Sequence, residues 1–325
     1  MRTAGRVLWL AIFFTAMAGA QVGEWANIVE RGRQLSDSGR YLEGLALFRQ
    51  AASLADSFGP RDTRRWVTYD FLGVASEEAG FPAEAIRCFR HTMEMIKNAV
   101  GTGNASYAAA LTNLGTVYAS SGDPASGENI LRKALHIETS LADCDPFEVA
   151  TIKTRLSEAL LNRGHYEEAG RLLESAVPVV KAKGEPIDTA IALNNLGIVR
   201  QRQHRYDESV ELLSASLAVV EQHFGPEHPV LLRPLANLAV LYGETGRVAE
   251  AGPLFRRAQA ICDKSMPPNH PSHANLLASY AAFLRRTGDK SRAKAMEEQA
   301  RWLARENNRR NGLGLTVDSA AFANQ

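Results

Sequence analysis

One spacing runs through this chain and limits what it can fold into. Gly39, Gly80, Gly122, Gly164, Gly246 and Gly288 each close a stretch of helical periodicity, and they stand 41, 42, 42, 82 and 42 residues apart. The gap of 82 holds a further unit in which His204 takes the glycine position. Seven units therefore tile residues 21–308, at about 25–65, 66–107, 108–149, 150–189, 190–231, 232–273 and 274–308. A period of this length means one supersecondary unit per repeat. Such a unit cannot bury both its faces alone, so neighbours have to stack.

Four further columns keep the same phase. Five residues after each glycine position stands a small residue: Gly44, Ala85, Gly127, Ala169, Ser209, Ala251 and Ala293. Four residues on is a large apolar one, Phe48, Phe89, Leu131, Leu173, Leu213 and Phe255, with Glu297 in the last unit. Three further on the column is small again, from Ala51 to Ala300. Eight residues before the glycine position stand Leu72, Leu114, Leu156, Leu196, Leu238 and Tyr280, with Arg31 in the first unit. Within a unit, Leu111, Leu114, Val117 and Tyr118 recur at helical spacing. Ala169, Leu173 and Ala176 form one stripe at steps of four and three. The unit is thus a helical hairpin: a first helix, a glycine in a left-handed cap, a short turn, and a second helix whose small residues let the backbones approach. Pro146, Pro186, Pro229 and Pro271 open first helices, where a missing N–H costs nothing.

Leu114-Gly115, Tyr118, Gly127, Leu131 and Ala134, with their counterparts around Leu196-Gly197 and Leu238-Ala239, resemble the tetratricopeptide repeat. The longer unit is similar to the kinesin-light-chain type, as are Gly225-Pro226-Glu227-His228-Pro229 and its shifted echo Pro267-Pro268-Asn269-His270-Pro271. That resemblance implies an all-α fold, a right-handed α-solenoid with a concave groove lined by first helices. The expectations at the ends follow from stacking. Unit one lacks the leucine column and has the looser edge. The helix containing Glu297 is a polar cap, and residues 309–325 form a disordered tail.

The first twenty residues read as an address. Arg2 and Arg6 precede an apolar run from Val7 to Ala18, and Ala18-Gly19-Ala20 offers small residues for cleavage. A signal peptide, residues 1–20, is the expectation, with a retained anchor as the other reading, and it places the protein outside the cytoplasm: periplasmic or secreted if bacterial. Its removal takes two arginines and no acid, moving the net charge from +1 to −1. A near-neutral chain has no electrostatic reason to seek nucleic acid or anionic lipid. Three cysteines far apart, Cys88, Cys144 and Cys262, suggest no essential disulfide.

No catalytic or cofactor-binding motif is present, so the chain reads as non-enzymatic and without a cofactor or metal. His223, His228, His270 and His273 flank helix-starting prolines and are assigned loop and capping contacts. Glu77-Glu78, Glu167-Glu168 and Glu297-Glu298 are assigned to solvated helix surface, because adjacent helix residues do not face one another.

One column points to function. By the resemblance, the residue before the leucine column faces the groove, and it reads Asn113, Arg155, Asn195, Asn237 and Ser279 in units three to seven. An amide carries donors and an acceptor, so such a ladder can hold a peptide backbone. It can equally bond between repeats, and both uses stand open. Asn194, Arg202 and Arg233 would flank the ladder and favour an acidic side chain or terminal carboxylate. The expected function is a scaffold that binds a protein or extended peptide in the groove. The alternative is self-association through the edge at Trp25–Gln34.

Overall fold

The computed structural model describes residues 4–311 apart from Pro268, with side-chain surroundings from Gln21 to Arg310. Among the described residues there are fourteen α-helices and no strand, arranged as seven hairpins. These are α1 (Ala4–Asp37) with α2 (Tyr41–Ala55), α3 (Thr63–Glu78) with α4 (Pro82–Val100), and α5 (Ala105–Ser120) with α6 (Pro124–Thr139). Next come α7 (Pro146–Asn162) with α8 (Tyr166–Lys183), and α9 (Pro186–Arg202) with α10 (Tyr206–Phe224). Last are α11 (Leu232–Glu244) with α12 (Val248–Ser265), and α13 (Pro271–Arg286) with α14 (Lys290–Asn311). Pro229 opens a 3-10 turn, Pro229–Leu231, rather than α11 itself.

Each phased column does the physical task its chemistry suggests. The six glycines of the cap column have φ between 76° and 96°, and His204 has φ 60°, the one non-glycine with positive φ among the described residues. Phe48, Phe89, Leu131, Leu173, Leu213 and Phe255 are all buried at 2% exposure or less. Gly197 shows why a glycine follows the leucine: a Cβ there would stand 2.8 Å from Leu213 Cγ, inside the partner helix. In unit five the small residues are serines, and their hydroxyls donate to backbone across the hairpin, Ser209 to Gly197 O at 2.8 Å and Ser216 to Ala190 O at 2.7 Å. Arg200 fills the aromatic slot of that unit. It is buried and donates to Glu174 at 2.7 Å and Gln203 at 3.1 Å.

The ends differ from expectation. Glu297 does not face water: it is buried and accepts from Arg285 Nε at 3.1 Å, so an ion pair replaces the apolar contact of the other units. The helix α14 runs on to Asn311, and the rest of the expected tail lies outside the described residues. α1 runs unbroken across the expected cleavage point after Ala20, and the side chains of that leader lie outside the described ones. At the first unit's edge Arg31 is exposed, as its place in the leucine column suggests, but Trp25 Nε1 ties α1 to α3 by donating to Thr68 Oγ1 at 2.8 Å. Among the described residues no helix is long and apolar enough to cross a membrane.

First helices of successive hairpins touch one another (α3 with α5, then α5 with α7, and on to α11 with α13), which makes them the inner wall and the second helices the outer wall. The ramp then comes round on itself. His228 Nε2 lies 3.1 Å from Asp37 O, and His270 Nε2 lies 3.0 Å from Glu78 O. The Arg310 guanidinium of α14 covers the Phe81 ring at 5.0 Å, and Met266 packs against both the N-terminal and the C-terminal cores. The groove is therefore a bore enclosed by one superhelical turn.

Candidate ligand-binding bore

The inner wall is laced by bonds between residues one repeat apart. Asn113 Nδ2 donates to Asp70 Oδ1 at 2.9 Å, and Asn237 Nδ2 donates to Asn194 Oδ1 at 2.8 Å. Ser120 donates to Glu77 at 3.1 Å, Asn162 Nδ2 to Ala119 O at 3.1 Å, and Gln201 Nε2 to Glu244 at 2.5 Å. Each pair spans 43 residues, so the stacking of first helices is written in polar bonds on the side where apolar residues would face the bore.

The sequence-derived site residues take different places. Asn194 and Asn195 are both buried at 1% exposure; Asn194 Nδ2 donates to Asn195 Oδ1 at 3.3 Å. Asn195 Nδ2 has no acceptor and no accessible surface, so a peptide does not reach it without a shift of the repeats. Asn113 and Asn237 are partly exposed, with their donors directed to the neighbouring repeat. Arg233 of α11 crosses to pair with Glu158 of α7, so its charge is spent inside the chain and is not left for an acidic ligand. Arg202 is exposed and lies 6.0 Å over the Tyr166 ring at the start of α8, away from the others. Arg155 is half-buried and, among the described residues, makes no direct ion pair or hydrogen bond.

Four carboxylates that the sequence reading did not select as site residues line the same inner wall. Glu77 of α3 feels Arg155, Glu158 and Arg233, which brings units two, four and six together on the axis. Burial pushes the Glu77 carboxyl above the usual range, against the pull of Arg155 and the Ser120 hydroxyl. Burial also raises Asp70 and Asp188, only partly offset by the Asn113 amide and by Arg155 respectively. Glu158 is the exception: burial would raise it, but Arg233 outweighs burial and holds it below the ordinary value. The Arg233 side chain is 45% exposed although the turn surrounds it, so it borders open space within the bore. The assignment of Glu77-Glu78 to solvated surface is thus corrected: both are half-buried, and the loss of solvent raises both carboxyls.

The donors and acceptors do not balance. The amides of Asn113 and Asn237 each spend one of their two N–H groups in stacking, while their Oδ1 atoms accept nothing among the described residues. Glu77 and Glu158 feel both Arg155 and Arg233, Asp188 feels Arg155, and Asp70 is met by the Asn113 amide alone. The sequence signal for this was present but weak: an acid beside the groove column at Asp70, one turn on at Glu158 or nearly two turns on at Glu77 is ordinary helix surface until the superhelix closes over it.

A family model described as Tetratricopeptide repeat matches residues 66–138, 188–264 and 237–306, and a second of the same description matches 154–175. Among curated proteins, Protein KINESIN LIGHT CHAIN-RELATED 3 of Arabidopsis thaliana is 26% identical over 183 residues, covering 55% of this chain and 27% of that protein. The chain therefore spans little more than a quarter of that relative's length. Among solved structures, a Rap protein complexed with competence and sporulation factor superposes with TM-score 0.60 at 14% identity, covering 90% of this chain and 95% of that one. The Rap conjugation gene regulator of plasmid pLS20 in complex with the Phr* peptide gives TM-score 0.59 at 10% identity, covering 89% and 97%. At these identities the likeness is one of fold.

Proposed function

The chain belongs to the tetratricopeptide repeat family, with repeats of the kinesin light-chain type, and from that premise we propose that it is a non-catalytic, exported scaffold that holds an extended protein segment inside its bore. The observation that carries this reading is the enclosed inner wall with its surplus of acceptors. A segment entering it meets Asn113 Oδ1, Asn237 Oδ1 and the carboxylates of Asp70 and Glu77, so it has to bring donors, and a lysine or arginine side chain brings the most. This reverses the acidic preference expected from Arg202 and Arg233 alone. The stacked wall is ordered before binding, so little entropy is lost on it. The two Rap structures support the reading, since one has a peptide in its printed description and both share this fold. Export rests on the basic start, the apolar run Val7–Ala18 and the small residues before Gln21.

Two measurements test it. Labelled peptide pools, one carrying lysine and arginine and one carrying aspartate and glutamate, are titrated against the protein. The basic pool is expected to bind, more weakly at higher salt and more weakly still to Glu77→Gln. Preference for the acidic pool, or binding by neither, contradicts the reading. The N-terminal mass of protein recovered from its host tests export, the expected start being Gln21; a start at Met1 in the cytoplasmic fraction contradicts it.

A further inference from the structure

Among the described residues, the two His-Pro loops are the segments before first helices that bond back to the first two hairpins. His228 and His270 are N-cap residues, and each accepts a backbone N–H on Nδ1, from Val230 at 3.2 Å and from Ser272 at 3.1 Å. The opposite ring nitrogen, Nε2, meets a backbone carbonyl at a helix end 191 or 192 residues away, at Asp37 and Glu78. The geometry fixes one tautomer at both sites. Nδ1 has to carry a lone pair and Nε2 a proton, since carbonyl oxygens only accept.

The caps of other units show what histidine adds. Asp62 and Asp145 cap through a carboxylate, accepting from Arg64 N at 3.0 Å and Phe147 N at 2.9 Å, and have no proton to pass on. Asn104 accepts from Tyr107 N at 3.0 Å and uses its own donor on Gly101 O, 3.0 Å away in the same loop. Of these caps, only the imidazoles place their donor against a distant part of the chain. The far ends are shaped to receive it. Gly39 and Gly80 are left-handed, and a Cβ would stand 2.6 Å from Pro229 Cδ in the first case and 2.8 Å from His270 Cδ2 in the second.

We propose that His228 and His270 are a pair of clasps that close the superhelical turn, that they hold only as neutral imidazoles, and that their protonation opens the bore. An imidazolium has no lone pair on Nδ1, so it loses the cap that orients the ring. The charged group that acts on His270 is His273 on its own helix, itself 3.4 Å from Asp263 of α12, while Glu78 of α3, whose carboxyl has Glu77 and Asp37 for neighbours, supplies the carbonyl. Around His228 stand Asp37 on α1 and His223 on α10, with the Phe224 ring stacked at 4.9 Å. Asp37 favours an imidazolium at His228, whereas His273 opposes one at His270, and burial dominates at both: it pushes His270 down to about 4 and also lowers His228. The clasps are therefore closed at neutral pH and open in acid. This inference concerns closure of the turn and stands whether or not the bore holds a peptide.

The test is small-angle scattering of the full chain at pH 7.5 and in steps down to 4, with far-UV circular dichroism on the same samples. The wild type is expected to gain radius of gyration below pH 6.5 while keeping its helix content. The double variant His228→Asn, His270→Asn keeps a neutral cap and loses the reach. It should be expanded already at pH 7.5 and change little on acidification. A wild type of constant radius overturns the proposal, and so does a variant that is compact at pH 7.5 or expands with pH as the wild type does. Should the variant lose its helix content, the imidazole nitrogen shifts of the wild type decide: both histidines as the Nε2–H tautomer support the clasps, and any other state overturns them.

Discussion

The stack and the seam are held by different chemistry. Within and between consecutive hairpins the core is apolar, from Phe48 through Leu131 and Leu213 to Phe255, each sealed from water, with the polar pairs of the inner wall beside it. Across the seam, where the loops before α11 and α13 and the end of α14 meet the first two hairpins, the contacts among the described residues include two imidazole bonds, one cation–aromatic contact at Phe81 and the Met266 side chain. A typical hydrogen bond contributes about 0.5–1.5 kcal/mol net, against about 2–5 kcal/mol for a buried leucine. The stack therefore sets whether the chain is folded, and the seam sets only whether the turn is closed. A protein built this way opens along its weak seam well before it unfolds.

Breaking the stack gives the largest effect. Leu213→Ala removes a fully buried side chain between α9 and α10 and is expected to cost about 2–5 kcal/mol in thermal or denaturant unfolding. A loss no larger than that of the double histidine variant would erase the distinction between stack and seam.

Acidity comes next, and its sign differs on the two sides of the seam. His270 has its folded value depressed to about 4, so its contribution is complete above the ordinary value of 6.5 and is lost as pH falls towards 4. Glu78 is raised to about 7 by burial and then by Glu77, so the folded state favours its neutral form. Its penalty is absent below the ordinary value of 4.5 and grows as pH rises to 7. Each side amounts to about 3 kcal/mol at full extent, from 1.36 kcal/mol per unit. Stability should peak between pH 5 and 6.5, and Glu78→Gln should flatten the alkaline side alone. A Glu78→Gln profile that still falls from pH 5 to 7 would assign that loss to other groups.

A smaller contrast separates cap strain from closure. Gly80→Ala and Gly164→Ala both force a side chain into the left-handed region, at about 1–2 kcal/mol. At Gly164 the nearest atom to the new Cβ is Tyr166 Oη at 3.9 Å, whereas at Gly80 the Cβ runs into His270. Gly80→Ala should thus expand the molecule in scattering as well as destabilise it, and Gly164→Ala should only destabilise it. The smallest effect has the opposite sign. His204→Gly relieves the one strained non-glycine cap at the loss of a 2.8 Å contact to the Tyr206 hydroxyl, for a gain of about 0.5–1 kcal/mol in unfolding. No gain would mean that the Tyr206 contact offsets the strain.

The same division explains what could be read from the sequence. The caps, the buried columns and the hairpin boundaries are local or belong to adjacent repeats, so a period of about 42 residues states them directly. Even His204 as a stand-in for glycine was legible. Closure was not, because it depends on small angles between hairpins summed over 191 residues, and no periodicity carries such a sum. Everything that closure decides was misplaced with it: Glu77 and Glu78 appeared solvated, Arg233 appeared free, and Glu158 and Asp70 drew no notice. Glu297 failed for a local reason, since a buried carboxylate paired with the exposed Arg285 can replace an apolar contact without altering the helix. The His-Pro echo was visible, and its restriction to the loops that open the last two hairpins was the one trace of the seam.

The account depends on the two ends of the ramp meeting. Ser38 and Glu227 are both exposed and flank the His228 contact. Spin labels at cysteines placed there, with Cys144 replaced by serine and the buried Cys88 and Cys262 thiols pushed up to about 11 and 12 and so unreactive, read the gap directly. A single narrow distribution at the short limit of the method at pH 7.5 is the expected result. A broad distribution at long distance at that pH would show an open ramp and contradict the closed turn.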